Sequence, residues 1–329
     1  MRGLSVALVD PGTLVGRDVK AVLRERGFPA AHLHLLQTGD PSSGFLTEDD
    51  GEAAYVAALE PDSLSTCQIA FLCGPAKATS RFLSQRGPDG CLVIDLSGQR
   101  TMGTFVDALR EALPSPLPAG DHFLLRDPAA IVLADSVAAL ATLRPVQAVT
   151  VAIDRPASDL GKDALDELFQ QAIAVASFRS VPKEHLGTQS AFNLYFPADS
   201  DAYEARVAGD VRALLGRDLT IGILSARASV FHGTTLRLEV RFEGEAPGTE
   251  ALRSVLLAAG RGFAEAEVDG PAGILDAAGR DETLLIRSES AGAACRLFLA
   301  SDDLRRPGAL LAVRIAEAAI AERGLLPDA

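Results

Sequence analysis

The chain has 329 residues, of which 48% are hydrophobic and 23% are charged, so it can bury the cores of two domains and is not intrinsically disordered. Its formal net charge of −13 disfavours binding to nucleic acid or anionic membranes, which both attract Lys and Arg through phosphate groups. Residues 4–9 are too short for a signal peptide, and no stretch reaches the ~18 apolar residues of a membrane helix, so a cytoplasmic protein is expected.

The first half of the chain predicts strands and helices in alternation. Strands are expected at residues 4–9, 32–36, 68–73 and 91–96. Apolar residues at helical spacing predict a helix over 14–26, which Gly27 ends. Such alternation is typical of an α/β domain with a doubly wound parallel sheet.

The second half predicts a different arrangement. Strands are expected at 146–153 and 235–242, with helices at 162–177, 202–215, 248–259 and 307–323. Because these elements do not alternate strictly, they favour an α+β layer with an antiparallel or mixed sheet. We therefore expect one domain over residues 1–130 together with a C-terminal helix at 305–329, and a second domain over 131–304.

The cysteines and histidines do not form a recognisable site. The four cysteines lack C-x-x-C spacing and are expected to be buried thiols. The five histidines are scattered. His32 and His34 share a strand face, but the sequence places no third ligand near them, so no metal site is expected.

Several short strings lie in an order and spacing that resemble the aspartate-semialdehyde dehydrogenases over nearly the whole chain. They are ALVDPGTLVGR at 7–17, CLVIDLS at 91–97, GKDALDEL at 161–168, AFN at 191–193 and SDDLRR at 301–306. The resemblance implies a Rossmann-type, NAD(P)-binding-like domain followed by an α+β dimerisation domain of the semialdehyde dehydrogenase type. It also implies a homodimer that pairs through the second domain. Family members reduce aspartyl phosphate to the semialdehyde with NADPH.

The positions that the resemblance assigns to catalysis carry altered residues. The family's nucleophilic cysteine follows Pro-Asn at a helix start, and Ser136 is placed there, where a serine can also simply cap or begin the helix. The glutamine that orients the acyl group falls at Arg155, and the histidine base falls at Thr234. His232 lies two residues before Thr234, about 7 Å along a strand, which is too far for the same proton transfer.

The cofactor turn is altered as well. The family's three turn glycines fall at Asp10, Thr13 and Gly16, and Gly74 is a weaker candidate for a cofactor contact. Asp10 brings a carboxylate towards a pyrophosphate, and Thr13 adds a side chain where backbone should approach it. The family's arginine for the 2′-phosphate falls near Asp40, which has the opposite charge. No cofactor is therefore expected.

Some positions assigned to substrate binding keep suitable residues. Arg100 falls at the phosphate-binding arginine, Glu204 and Arg206 at a Glu and a Lys, and Arg227 at the arginine that grips the substrate carboxylate. The family's asparagine before the last helix has become Asp303. A small anionic ligand is thus a candidate, although exposed ion pairs on a helix surface would explain Glu204 and Arg206 equally well.

Two hypotheses follow. The first is a catalytically inactive member of the family, similar to the Usg-type proteins, which binds a partner or a small molecule. The second is an NAD(P)-dependent oxidoreductase that acts on an aldehyde or acyl phosphate with altered catalytic residues. Replacement of the nucleophile, the base and the phosphate turn favours the first, and binding of a nicotinamide cofactor distinguishes the two.

Overall fold

The computed structural model describes residues 3–39, 45–49, 52–87, 89–109, 113–258, 262–267 and 270–325. The chain forms two compact units. Unit 1 consists of Met1–Asp107, Leu113–Arg126 and Gly308–Ala329, and unit 2 consists of Ala108–Ala112 and Asp127–Pro307. Unit 1 is therefore built from both ends of the chain.

Seven α-helices lie within the described residues. They are α1 (Leu14–Glu25), α2 (Ala76–Gln85), α3 (Pro128–Ala141), α4 (Lys162–Ala176), α5 (Ser200–Leu215), α6 (Thr249–Leu256) and α7 (Leu311–Arg323). Helices α1, α2 and α7 belong to unit 1 and the other four to unit 2.

Unit 1 contains a sheet with the strand order β3-β4-β2-β1-β5-β6-β8-β7. Its strands are β1 (Leu4–Val9), β2 (Ala30–Gln37), β3 (Phe45–Asp49), β4 (Glu52–Ala58), β5 (Ile69–Leu72), β6 (Leu92–Asp95), β7 (Thr104–Phe105) and β8 (His122–Leu124). The strands pair in parallel except for β3 and β4, which are antiparallel. The doubly wound parallel sheet predicted from the alternating pattern is confirmed.

Both faces of this sheet are covered, because β1 sends alternate side chains into two apolar cores. Val6 and Leu8 join a core that includes residues of α1 and α7. Ala7 and Val9 join the opposite core, which includes Phe82 of α2. A strand that is buried on both faces needs a continuous apolar run, which explains the sequence of β1.

Unit 2 contains a mixed sheet with the strand order β10-β11-β9-β12-β15-β14-β13. Its strands are β9 (Val146–Arg155), β10 (Leu194–Tyr195), β11 (Thr220–Ala228), β12 (Thr234–Phe242), β13 (Phe263–Glu265), β14 (Thr283–Ala291) and β15 (Ala294–Ser301). β9 pairs in parallel with β11 and antiparallel with β12. The predicted α+β domain with a mixed sheet is confirmed.

The two faces of the unit 2 sheet differ. Val149, Val151 and Ile153 of β9 are buried, and helices α3, α5 and α6 contact strands of the sheet. A groove with a largely apolar floor runs across the other side; we call this surface the open face. Residues that line it include Thr150, Ala152, Leu224, Arg237, Glu239 and Phe298.

The final helix begins later than predicted. Residues Arg305–Leu310 form a π-helical turn, and α7 follows at Leu311. The expected helix over 307–323 therefore combines two helical forms. Pro307 has no backbone N–H to donate and lies in this irregular turn, which explains why the regular helix begins only after it.

The cysteines Cys67, Cys73, Cys91 and Cys295 are free and buried, as predicted. Among the described residues, no group of His, Cys, Asp and Glu side chains is arranged to hold a metal ion. None of the described helices has the length and apolar character required to cross a membrane.

Candidate functional site

The turn between β1 and α1 contains a half-buried carboxylate, that of Asp10. Asp10 has a φ of 58°, a left-handed conformation that glycine adopts more easily than other residues. Its Oδ1 accepts a hydrogen bond from the backbone N of Thr38 at 2.9 Å, and its Oδ2 accepts one from Thr38 Oγ1 at 2.8 Å. Burial raises the pKa of Asp10 above its ordinary value, and the bonds from Thr38 oppose that shift. The turn thus has a backbone shape suited to glycine but carries an acid.

The residues predicted to contact a cofactor meet around Asp10. Thr13 Oγ1 accepts a hydrogen bond from Gly16 N at 3.1 Å and caps α1. The same oxygen lies 2.9 Å from the carbonyl oxygen of Asp10 and 3.0 Å from that of Cys73. A Cβ at Gly16 would lie 2.4 Å from Asp10 O, and one at Gly74 would lie 2.0 Å from Asp10 Oδ2. Any side chain at Gly16 or Gly74 would therefore clash with Asp10, so the packing of unit 1 requires glycine at both positions.

Two features of this turn bear on the binding of a nucleotide pyrophosphate. A helix N-terminus binds phosphate through backbone N–H groups that no other acceptor takes. Here the Gly16 N–H already donates to Thr13, and the Asp10 carboxylate lies in the same turn. A phosphate at this turn would find the Gly16 N–H already bonded to Thr13. The Asp10 carboxylate would also repel it. Asp40, predicted near the ribose, lies outside the described residues.

Arg100 lies near the carboxyl end of β6. Its guanidinium lies 4.6 Å from the centre of the Phe105 ring, and that of Arg126 lies 4.0 Å from the same ring. The buried Asp95 at the end of β6 accepts hydrogen bonds from Gln99 Nε2 at 2.7 Å and from the backbone N of Ser97 at 2.8 Å. Arg100 is thus engaged in a cation–π contact on a structured loop.

The structure contradicts the placement of Ser136 at a helix start. Helix α3 begins at Pro128, and the carboxylate of Asp127 caps it by accepting a hydrogen bond from Ala129 N at 3.0 Å. Ser136 is fully buried two turns further on, and its Oγ donates to the carbonyl oxygen of Val132 at 2.8 Å. Ser136 therefore neither begins nor caps the helix, because it lies about two turns inside α3.

Four side chains, which we call the arginine cluster, assemble in unit 2: Arg155, Asp159, Asp199 and Arg227. Arg155 ends β9, and its Nη2 lies 2.7 Å from Asp159 Oδ2 and 3.0 Å from Asp199 Oδ2. Arg227 of β11 pairs with Arg155 of β9. Its Nη2 lies 3.3 Å from the same Asp159 oxygen. Arg227 Nη1 also donates to the carbonyl oxygen of Pro156 at 2.6 Å. Two buried guanidiniums thus share one carboxylate.

The surroundings of the arginine cluster favour its charged form. Burial alone would lower the pKa of Arg155, but Asp159 and Asp199 outweigh that effect and raise it. The guanidinium of Arg155 also lies 3.9 Å from the centre of the Tyr203 ring, a cation–π contact. Burial, with the nearby carboxylates of Asp127 and Asp159, raises the pKa of Tyr203 well above its ordinary value. Tyr203 is therefore neutral at physiological pH, and its ring packs against the guanidinium of Arg155.

The two candidate residues on α5 have internal partners. Glu204 Oε1 accepts hydrogen bonds from the backbone N of Ser225 at 2.6 Å and from its Oγ at 3.0 Å. Arg206 Nη2 donates to Asp127 Oδ2 at 3.1 Å. Burial raises the pKa of Asp127, although Arg206 opposes that shift. Both side chains therefore connect α5 to neighbouring elements of unit 2.

Thr234 is buried at the start of β12. His232 lies in the bend before this strand, so the expectation that His232 and Thr234 lie on one strand is wrong. Asp303 Oδ1 accepts a hydrogen bond from Gly233 N at 3.0 Å, and Asp303 Oδ2 lies 3.5 Å from Ser158 Oγ. Burial, reinforced by the neighbouring Asp302, raises the pKa of Asp303 to about 7.

Sequence reasoning missed Asp159, Asp199 and Tyr203. Asp159 lies four residues after Arg155 in the same short segment, and that spacing is the one signal that could have indicated it. Asp199 and Tyr203 lie 44 and 48 residues from Arg155 along the chain, so only the fold brings them to it.

Comparisons with known proteins agree with this architecture, although no protein-family profile matches the chain. A USG-1 protein homolog from Azotobacter vinelandii is 30% identical over 329 residues, which cover 95% of this chain and 97% of that protein. An aspartate-semialdehyde dehydrogenase from Rickettsia bellii is 24% identical over 336 residues, which cover 95% and 96%. The structure of a probable aspartate-semialdehyde dehydrogenase from Pseudomonas aeruginosa matches with a TM-score of 0.86 and 26% identity over 98% of this chain and 99% of that one.

Proposed function

Because this chain belongs to the aspartate-semialdehyde dehydrogenase family, with USG-1 protein homologs among its relatives, we propose that it is a member without the family's catalysis. It acts in the cytoplasm by binding a partner or a small anion. The four free cysteines are in keeping with a reducing compartment.

The start of α3 is the observation that carries this proposal. The family's nucleophile follows Pro-Asn at a helix start, and here Pro128 is followed by Ala129 and Ala130. A methyl side chain cannot attack a carbonyl carbon. The one hydroxyl of this helix, that of Ser136, is buried and already donates to Val132. No base activates it, since the hydroxyl has no other hydrogen-bond partner among the described residues.

We expect the purified protein to show no aspartate-semialdehyde dehydrogenase activity. Phosphate-dependent reduction of NADP, measured with the semialdehyde as substrate, should stay at background. The reason is that the nucleophile, the base and the orienting glutamine are all replaced, and each of them contributes to lowering the barrier. A turnover above ~1 per second, an ordinary enzyme rate, would support the oxidoreductase hypothesis instead.

We expect the Ser136→Cys variant to remain inactive, because this position is buried in the middle of α3. A thiol there has no access to substrate and is far from the helix N-terminus that lowers a cysteine pKa. Activity in this variant, in the same assay, would show that the sequence-based assignment of Ser136 was right.

We expect NADPH to bind no more tightly than about 1 mM, near −4 kcal/mol, because Asp10 places a carboxylate in the phosphate turn. Isothermal titration calorimetry at moderate salt measures this directly. Asp10→Gly removes the charge and suits a φ of 58°, so this variant should bind at least about tenfold more tightly. A low-micromolar dissociation constant for the unaltered chain would contradict the proposal.

The open face supports a second part of the proposal, that the protein is a homodimer. Leu224 is 61% exposed there, and it lines one groove with Ala152 and Phe298. Apolar side chains grouped on an uncovered sheet face are typical of a protein interface. Closed two-fold pairing is the commonest arrangement of soluble oligomers, and a second copy presents the same surface.

A further inference from the structure

Unit 2 has a cavity at the opposite end of its strands from the arginine cluster. It lies at the amino ends of β9 and β11, whereas Arg155 and Arg227 lie at their carboxyl ends. Along an extended strand, the distance from Gln147 to Arg155 is roughly 26 Å, so the cavity is a separate site. We call it the β9–β11 pocket; the residues that line it include Val146, Gln147, Arg212, Arg217, Leu219 and Glu243.

Two arginines bring positive charge to the β9–β11 pocket. Arg217 Nη1 donates to the carbonyl oxygen of Val146 at 3.4 Å, and the guanidinium forms no ion pair with any carboxylate in the described part of the chain. Arg212 Nε donates to the carbonyl oxygen of Leu219 at 3.2 Å and lies 3.8 Å from the fully exposed carboxylate of Asp218. The hydrogen bonds of both guanidiniums therefore go to neutral carbonyl groups. A guanidinium in this state can bind a carboxylate through two parallel N–H groups.

Glu243 brings a negative charge to the same pocket. It follows β12, and its backbone N–H donates to the carbonyl oxygen of Pro145 at 3.0 Å, which fixes this part of the chain. Within the described ranges, the carboxylate of Glu243 pairs with neither Arg212 nor Arg217, although all three residues line the pocket. Opposite charges that line one cavity without reaching each other leave room for a ligand that carries both charges.

The rest of the lining sets the size and polarity of such a ligand. The cavity has a volume of about 710 Å³, is open to solvent and falls within the range typical of small-molecule sites. Val146 and Leu219 are only 4% and 6% exposed, so they form an apolar part of the wall. Gln147 and Thr220 add an amide and a hydroxyl group that can form further hydrogen bonds.

We infer that the β9–β11 pocket binds a free α-amino acid with an apolar side chain. Its carboxylate pairs with Arg217, its ammonium group pairs with Glu243, and its side chain packs against Val146 and Leu219. One exposed ion pair contributes little to affinity, so recognition depends on two opposite charges in the same small molecule. This inference goes beyond the proposed function, because it concerns neither catalysis nor the arginine cluster.

Isothermal titration with L-leucine and with analogues that lack one recognised group tests the inference. At neutral pH we expect L-leucine to bind with a dissociation constant on the order of 100 µM. Leucinamide has no carboxylate and N-acetyl-L-leucine has no ammonium group, so each should bind at least about tenfold more weakly. Glycine keeps both charges but has no side chain to pack, and it should also bind more weakly than leucine.

Variants of the two charged partners show where the amino acid binds. Arg217→Gln and Glu243→Gln should each weaken the binding of L-leucine at least about tenfold and leave the Tm nearly unchanged, because both side chains are exposed. Arg280→Gln and Glu184→Gln are matched controls at exposed positions of unit 2 outside the pocket, and they should bind as the unaltered chain does.

Three results would overturn the inference. They are the absence of any heat of binding up to ~10 mM L-leucine, equal binding of L-leucine and N-acetyl-L-leucine, and unchanged binding in both pocket variants. The titration measures the binding of an amino acid and not turnover. It can therefore fail while the protein is still inactive as an enzyme, and it can succeed if the protein proves to be active.

Discussion

The Asp303→Asn variant is expected to be more stable than the unaltered chain at pH 8, by on the order of 3 kcal/mol. Asp303 has a pKa raised to about 7, so at pH 8 it ionises in a partly buried site. Asparagine keeps an oxygen that can accept from Gly233 N and has no charge to bury. It is also the residue that the family resemblance places at this position.

The contribution of Asp303 to the stability of the fold is expected to depend on pH. A carboxyl group whose pKa is higher in the folded than in the unfolded state contributes stability that is complete below the unfolded pKa, about 4 for aspartate. That contribution is lost as the pH rises to about 7, the folded value. Urea unfolding of the unaltered chain should therefore show a decline in stability between these pH values that Asp303→Asn lacks. Asp163→Asn is the control, and an equal decline in all three proteins would contradict the prediction.

The Leu224→Asp variant is expected to be a monomer under conditions in which the unaltered chain is a dimer. An obligate dimer interface buries on the order of 2,000 Å² or more, and an aspartate in its apolar centre would be buried without a partner in both copies. Light scattering after size exclusion at low micromolar concentration should give about twice the chain mass of 34.4 kDa for the unaltered protein. The variant should give the mass of one chain.

Leu275→Asp is the matched control for the dimer. Leu275 is 82% exposed and is not among the residues that line the open face, so this variant should remain a dimer. A monomeric mass for the unaltered chain would reject the homodimer proposal outright. A dimeric mass for Leu224→Asp would place the interface elsewhere on the molecule.

The sequence predicted the parts of the fold that depend on local periodicity. The apolar run of β1 and the spacing of α1 indicated their structures, and their observed bounds differ from the predicted ones by at most a residue. Five short strings were sufficient to indicate the family. The pairing of β9 with β11 and β12 could not be predicted, because partners 72 to 96 residues apart leave no local signal.

The candidate site was predicted in its residues but not in its contacts. Arg155 and Arg227 were both selected by position, whereas the carboxylate of Asp159 that joins them was not. The prediction that Ser136 begins or caps a helix was wrong, because the helix from Pro128 to Ala141 continues on both sides of it. The close packing of Asp10 against Gly74 likewise needed coordinates, since 64 residues separate the two in sequence.

Because unit 1 is discontinuous, its core can be completed only after the last helix of the chain has been synthesised. Its core joins Val6 and Leu8 of β1 to Val313, Ile315 and Ala316 of α7. The ribosome makes these residues at opposite ends of the chain, and domains that are complete at the N-terminus normally fold first. Here the stretch from 127 to 307, which holds almost all of unit 2, has emerged before the last helix of unit 1 exists. A chain that stops near residue 307 would leave an apolar sheet face of unit 1 without its cover and therefore prone to aggregation.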